Sequence, residues 1–232
     1  MNIRVYDSDL KAVESEISYS CLGTTCNIGT AENGRLSEEF PQCVNGFINV
    51  RADGYKEESL MYSTVNEGSL SIYLSKLYTL NVQMKVDNQN YNKQSIITFT
   101  SGDFSRTISY PDQKTIELAE GEYQVEVYVY KNSSLKIGAT TKEQCVRVPL
   151  SYIGGILGLT RKECTTIRVP EQIISNVVSA GGKTNYTVSE DALKSSKTMD
   201  IYAKSLPEPD TLEQIQTNYI LFEENDLGIN LR

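Results

Sequence analysis

The sequence predicts a mainly β fold: tandem antiparallel β-sandwiches with a small C-terminal α+β element. Three observations carry this. Short runs rich in Val, Ile, Tyr and Thr alternate polar with apolar from Asn2 to Lys131. Clusters of Gly, Asp, Asn and Pro separate these runs at short intervals, as in sandwiches and not in a parallel sheet with crossover helices. The one clear amphipathic helix pattern comes late, in "PDTLEQIQTNYILFEEN".

In chain order, "NIRVYD", "SEISYSC", "GFINVRA" and "SLSIYLS" read with period two, and "YTLNVQMKV", "SIITFTS", "SRTISY", "KTIEL" and "EYQVEVYVY" follow. The last puts Tyr123, Val125, Val127 and Val129 on one face and Glu122, Gln124, Glu126, Tyr128 and Tyr130 on the other. One buried and one wet face is the signature of an antiparallel sandwich. "NGFINVRADGYK" and "EGEYQVEVYVYK" share a Gly, an aromatic and alternating Val, a weak repeat that fits two sandwiches. Past Val169, "IISNVVSAGGKTNYTV" predicts two strands about a Gly-Gly turn. "SEDALKSS" predicts a short helix capped by Ser189, and "TMDIYAKS" a strand with Met199, Ile201 and Ala203 on one face. The final helix has a D-x-x-E box at Asp210 and Glu213 and an apolar stripe of Leu212, Ile215, Tyr219 and Phe222. The expected organisation is a sandwich over 1–78, a second over 79–170 and an α+β element over 171–232.

With 232 residues the chain has room for two or three domains. Its net charge is −8 and it has no Lys/Arg cluster, which argues against nucleic acid and against anionic lipid as partners. It has no His and no Trp, but 15 Tyr. Without His there is no Ser-His-Asp or Cys-His arrangement, so no enzyme, cofactor or metal is expected. The N-terminus enters a strand at once and lacks a signal-peptide pattern. No apolar run reaches the ~20 residues a bilayer span needs. An exported protein would then carry its signal and any anchor outside this sequence, and would meet a membrane only through such a segment.

Five cysteines weigh on compartment. Cys21 and Cys26 are followed by Cys43, and Cys145 and Cys164 lie far along the chain. Zinc needs about four ligands in paired knuckles, which this spacing lacks. A catalytic thiol needs a cationic neighbour to lower its pKa, and the sequence offers none. Disulfides remain, and they imply an oxidising, extracytoplasmic setting. The expected bridges are Cys26–Cys43 and Cys145–Cys164, with Cys21 a free, buried thiol and Cys21–Cys43 the main rival. Each closes a loop of about 18 residues and contributes on the order of 3 kcal/mol. Asn132-Ser133-Ser134 and Asn185-Tyr186-Thr187 are glycosylation sequons that suit exposed loops.

One segment breaks the strand pattern. "VPLSYIGGILGLTRK" is apolar, glycine-rich and bracketed by Cys145 and Cys164. Tyr152, Ile153, Ile156, Leu157 and Leu159 are candidate partner-binding residues there, against the alternative that the loop folds onto an adjacent domain.

The stretch from Asn2 to about Leu80 contains "NIRVYDSDLKAVESEISYSC", "GTAENGRLSEEFPQCVNGFINVRADGYKEES" and "SLSIYL". Thr30, Asn33-Gly34, Phe40-Pro41, Gly46-Phe47 and Gly54-Tyr55 fall where the carboxypeptidase regulatory-like domains have a Thr, a Gly turn, a Leu/Phe-Pro, a Gly-aromatic strand and a closing Gly-Tyr. The stretch resembles that family, and its three inserted cysteines look like the version found in archaeal surface proteins. The resemblance implies a transthyretin-like sandwich, alongside Ig-like ones, that serves as a structural module or binding adaptor with no catalytic residues. The expected function is a non-enzymatic surface-protein segment that contacts other proteins or copies of itself. A carbohydrate-binding module is the alternative, and a glycan-active enzyme with two carboxylates a remoter one.

Overall fold

The computed structural model describes residues 1–66, 68–131, 135–137, 139–149, 160–169, 172–174, 177–209 and 211–232. Every strand expected up to Lys131 forms where the alternation places it. The first seven are β1 (Asn2–Asp7), β2 (Ser15–Cys21), β3 (Thr24–Ala31), β4 (Arg35–Ser37), β5 (Gly46–Arg51), β6 (Glu58–Tyr62) and β7 (Ser69–Leu74). They make two sheets, β4-β1-β7 and β3-β2-β5-β6, with β1 and β7 parallel. The Asn33-Gly34 turn switches the chain from one sheet to the other. Both residues have positive φ, 50° and 69°, as a two-residue hairpin turn requires. Ile3, Val5, Ile17, Tyr19, Ile48, Val50, Ile72 and Leu74 fill the space between the sheets.

The second unit has its own core. Its strands are β8 (Tyr78–Val86), β9 (Gln89–Asn90), β10 (Ser95–Ser101), β11 (Phe104–Tyr110), β12 (Thr115–Leu118), β13 (Gly121–Lys131), β14 (Leu135–Ile137), β15 (Thr140–Pro149), β16 (Thr160–Val169), β17 (Gln172–Ile174), β18 (Val177–Val188), β19 (Thr198–Ser205) and β20 (Gly228–Leu231). Helix α1 spans Glu190–Ser195 and α2 spans Leu212–Glu224. Among the described residues one sheet runs β11-β10-β13-β18-β19-β8-β12, with β20 on β19 and β9 on β8. It curls so that both arms reach one core. Leu80, Val82 and Met84 of β8 share it with Phe99, Val125, Val127 and Ile201. The face Tyr123, Val125, Val127, Val129 is buried as its alternation predicts, and so is Met199, Ile201, Ala203.

Residues past 171 add strands β18, β19 and β20 to this same sheet. The expected Gly-Gly turn is absent: Gly181 and Gly182 lie inside the continuous strand β18. A Cβ on Gly182 would strike the Asn225 carbonyl, and one on Gly181 would strike Phe222 and the Val127 carbonyl. The two glycines bare the backbone so that α2 can lie on the sheet, with Phe222 stacked on Tyr128 at 4.5 Å. Helix α2 starts one residue later than the D-x-x-E box predicts. Thr211 is its N-cap and forms a capping box with Gln214. The buried face of α2 carries Asn218 and Phe222 and leaves Tyr219 exposed, so the predicted stripe holds only in part. Asp210 lies outside the described residues.

The two units meet through the linker and through α1. Lys56 N–H donates to the Ser75 carbonyl at 2.8 Å and Leu77 N–H to the Gly54 carbonyl at 2.7 Å. Ser189 caps α1 as predicted, donated to by the Ala192 amide. Glu190 accepts from Ser8 of the first unit and from Tyr78 of the second, both at 2.8 Å. Burial raises the Glu190 pKa, but hydrogen bonds from Ser8, Tyr78 and Lys194 outweigh it and hold the carboxyl below its ordinary value. Burial, then Glu190, pushes the Tyr78 phenol up to about 12.

Candidate protein-interaction surfaces

The first disulfide joins Cys21 to Cys43, which corrects the expected Cys26–Cys43 pairing. Cys26 is the free thiol, and it is exposed. The reason is strand order. Cys43 enters β5, whose neighbour is β2, the strand that ends on Cys21. Cys26 sits one strand further out, on β3. Neighbouring strands are about 4.8 Å apart, and a bridge tolerates Cα separations only up to about 7 Å. Cys21 and Cys43 meet at 6.3 Å. Behind them is a buried polar knot. The Thr64 hydroxyl donates to the Pro41 carbonyl at 2.6 Å and accepts from the Cys43 amide at 3.1 Å. The Tyr19 hydroxyl donates to the Tyr62 carbonyl at 3.0 Å and lies 3.0 Å from Thr64 Oγ1. These contacts pin the 40–44 loop to the end of the sandwich.

That end of the unit is apolar on its outside. Leu22 follows Cys21 at the β2–β3 turn and is 98% exposed. Val44 follows Cys43, and Val65 follows Thr64, whose amide donates to the Cys43 carbonyl at 2.9 Å. Phe47 on β5 stands directly opposite Met61 on β6. Met61 is 65% exposed. Strand β6 is the edge of its sheet, and no described strand pairs with its outer side. Exposed Glu38 and Glu39 precede the loop, and Glu57 and Glu58 lead into β6.

The second surface is an arm. Strands β15 and β16 pair with each other over ten residue pairs, Thr140↔Val169 to Pro149↔Thr160, and with no other described strand. At about 3.4 Å per residue the arm is roughly 30 Å long. It continues the hairpin of β13 with β18 and β14 with β17. Cys145 stands opposite Cys164 and is bridged to it. Two residues on, and on the same face, Arg147 stands opposite Lys162. The other face carries Val146 and Ile167, both exposed, and an Arg161–Glu163 ion pair. No described side chain of the arm is buried.

The remaining predicted positions fall elsewhere. Tyr152, Ile153, Ile156, Leu157 and Leu159 lie outside the described residues, as does Asn132. Asn185 is exposed, but within strand β18 and not on a loop. Among the described residues no group of three or more His, Cys, Asp or Glu could hold a metal ion, and no helix is long and apolar enough to cross a membrane.

A cleft of about 1160 Å³ lies where the outer face of β5 meets the β10–β11 turn. Asn27, Asn49, Tyr55 and charges of both signs line it, with Arg51 paired to Glu57 at 3.1 Å. Of its aromatic rings, Tyr55 and Phe104, Phe104 is covered by Lys56 at 5.4 Å and Arg106 at 4.5 Å. On the outer face of β19, Asp200 is buried between Lys85 at 2.8 Å and Arg232 at 3.0 Å. Burial raises its pKa, and the hydrogen bonds from Lys85 and Arg232 more than reverse that, leaving it below the ordinary carboxylate value. This is an ion-paired clamp between β8, β19 and Arg232.

No family model matches the chain, and no curated protein matches it. Solved structures similar to it include a Streptococcal ancillary pilin, with a TM-score of 0.32 and 9% identity over 89% of this chain and 62% of that one. The Bacillus anthracis TIE protein is similar at a TM-score of 0.25 and 10% identity, over 88% of this chain and 50% of that one. The chain thus spans less than two thirds of either.

Proposed function

We propose that this chain is a non-enzymatic module of an extracytoplasmic or cell-surface protein and that it works by protein–protein contact. The observation that carries the reading is the disulfide-pinned arm. An isolated two-stranded hairpin is marginal in water. This one holds ten pairs clear of any core and is locked by a bridge. Two bridges in one chain favour an oxidising compartment. For residues 2–80 the transthyretin-like reading is kept, on a seven-strand unit of two sheets with its own core. A carbohydrate-binding role draws less support, because the exposed Tyr73 and Tyr219 lie on different units and the cleft's Phe104 is capped by cations.

The test is redox state and contact in the native cell. Thiol labelling of intact cells is expected to find one reactive thiol per chain, Cys26. A photo-crosslinking residue at Val146 is expected to capture a protein neighbour. Five free thiols in a chain retained in a reducing compartment would overturn the reading.

A further inference from the structure

The arm is the basic element of an acidic chain. Its two strands hold Lys142, Arg147, Arg161, Lys162 and Arg168 against Glu143 and Glu163. The first unit, residues 1–74, holds eleven acidic residues against five basic ones. Within the arm the register sets Arg147 against Lys162 beside the bridge. Like charges directly opposite each other on a sheet repel. The bridge holds the pair in place, and an acidic partner would relieve it. Both outer edges of the arm are free among the described residues.

The first unit presents the complement. Among the described residues strand β6 is an unpaired edge: its exposed Met61 stands opposite Phe47, Leu22, Val44 and Val65 are exposed on the loops at the same end of the unit, Glu58 begins the strand, and Glu57, paired to Arg51, precedes it. Free edges invite an added strand, and exposed apolar patches on a soluble unit mark contact sites.

Resting on the protein-contact reading above, we infer that the arm of one copy docks along the β6 edge and apolar patch of a second copy. The arm and the patch are different surfaces of one chain, so the contact is head-to-tail, and it either closes into a ring or propagates. A few strand residues and a small patch make a contact of the small, transient kind.

Sedimentation of the whole chain across concentration tests this. The weight-average mass is expected to rise above the 25.9 kDa of one chain at tens of micromolar and to fall back as salt is added. Met61→Glu and, separately, the arm variant Arg147→Glu/Lys162→Glu are each expected to weaken association about tenfold. Neither touches a core, so an unchanged melting curve certifies the fold. Adding Glu57→Lys/Glu58→Lys to the arm variant is expected to restore association. Two results would overturn the inference: a wild-type chain monomeric at every concentration, or association that Met61→Glu and the arm variant leave intact. A monomer with one reactive thiol on the cell surface sinks only this inference. Five free thiols sink the surface reading whatever the mass.

Discussion

Removing the two disulfides one at a time separates elements that share a core from those that do not. Cys21–Cys43 spans 22 residues and Cys145–Cys164 spans 19. In the chain-entropy picture each constrains the unfolded state by about 3 kcal/mol, so on loop length alone they are equal. Their surroundings are not. Cys21 and Cys43 pack against the first core, beside fully buried Tyr19. The arm has no buried described side chain and opens without disturbing either core. On a Cys26→Ser background, Cys21→Ser/Cys43→Ser is therefore expected to lower stability by about 3 kcal/mol, a fall of roughly 6–12 °C in Tm if the chain melts as one transition. Cys145→Ser/Cys164→Ser is expected to leave Tm within about 2 °C and to raise amide exchange in β15 and β16 on the order of a hundredfold. Calorimetry and hydrogen exchange read the two effects. Equal losses of Tm would refute the reasoning, since they would place the arm in the cooperative core.

Three further outcomes test the packing. Thr64→Val strips the hydroxyl that the Cys43 amide donates to, and is expected to cost about 1–3 kcal/mol in urea unfolding. Gly182→Ala is expected to cost about 1–3 kcal/mol by pushing the end of α2 off β18, and near-neutrality would show that α2 is not seated on bare backbone. The pH profile follows from three groups. Asp200 and Glu190 have folded pKa values below their ordinary ones, so their contribution is full above about pH 4 and is lost as pH falls through the folded values. Tyr78, raised to about 12, contributes fully below about pH 10 and loses that as pH climbs towards 12. With no His in the chain, Tm is expected to be flat from roughly pH 5 to 8, and Asp200→Asn to blunt the acid limb only. A sharp step in Tm near pH 6.5 would contradict this.

The strands were legible because a half-buried strand writes its own period. Val125, Val127 and Val129 alternate with polar residues, and nothing distant is needed to read them. The Ser189 cap and the Asn33-Gly34 turn were legible for the same reason, since each is a local backbone requirement. The errors came from through-space causes. Gly181-Gly182 reads as a turn, but the glycines answer Asn225 and Phe222, more than 40 residues on. Cys26 is nearer to Cys43 in sequence than Cys21 is, and only the order of strands favours Cys21. The Cys145–Cys164 bridge was legible from spacing, but the pairing of β13 with β18 that the arm continues joins residues that no local pattern links.

The two bridges also explain where this fold can present surface at all. A sandwich end closes on loops with few core neighbours, and a lone ribbon has none. A lone ribbon is where burial at ~25 cal/mol/Å² supplies least of the ordering free energy, and a sandwich end has less of it than the space between the sheets. Both bridges sit at such places: Cys21–Cys43 under the Leu22–Val44 end, and Cys145–Cys164 midway along the arm. Covalent constraint substitutes for burial there, which frees the neighbouring side chains from core duty. Met61, Val44 and Val65 can then stay exposed, and Arg147 can face Lys162, without the unit coming apart. Under the proposed function, an element held by a crosslink and not by its own contacts is available for contacts outside the chain. Reduction of the Cys145–Cys164 bridge is therefore expected to loosen the arm, and reduction of Cys21–Cys43 the Leu22–Val44 end, before either core is lost.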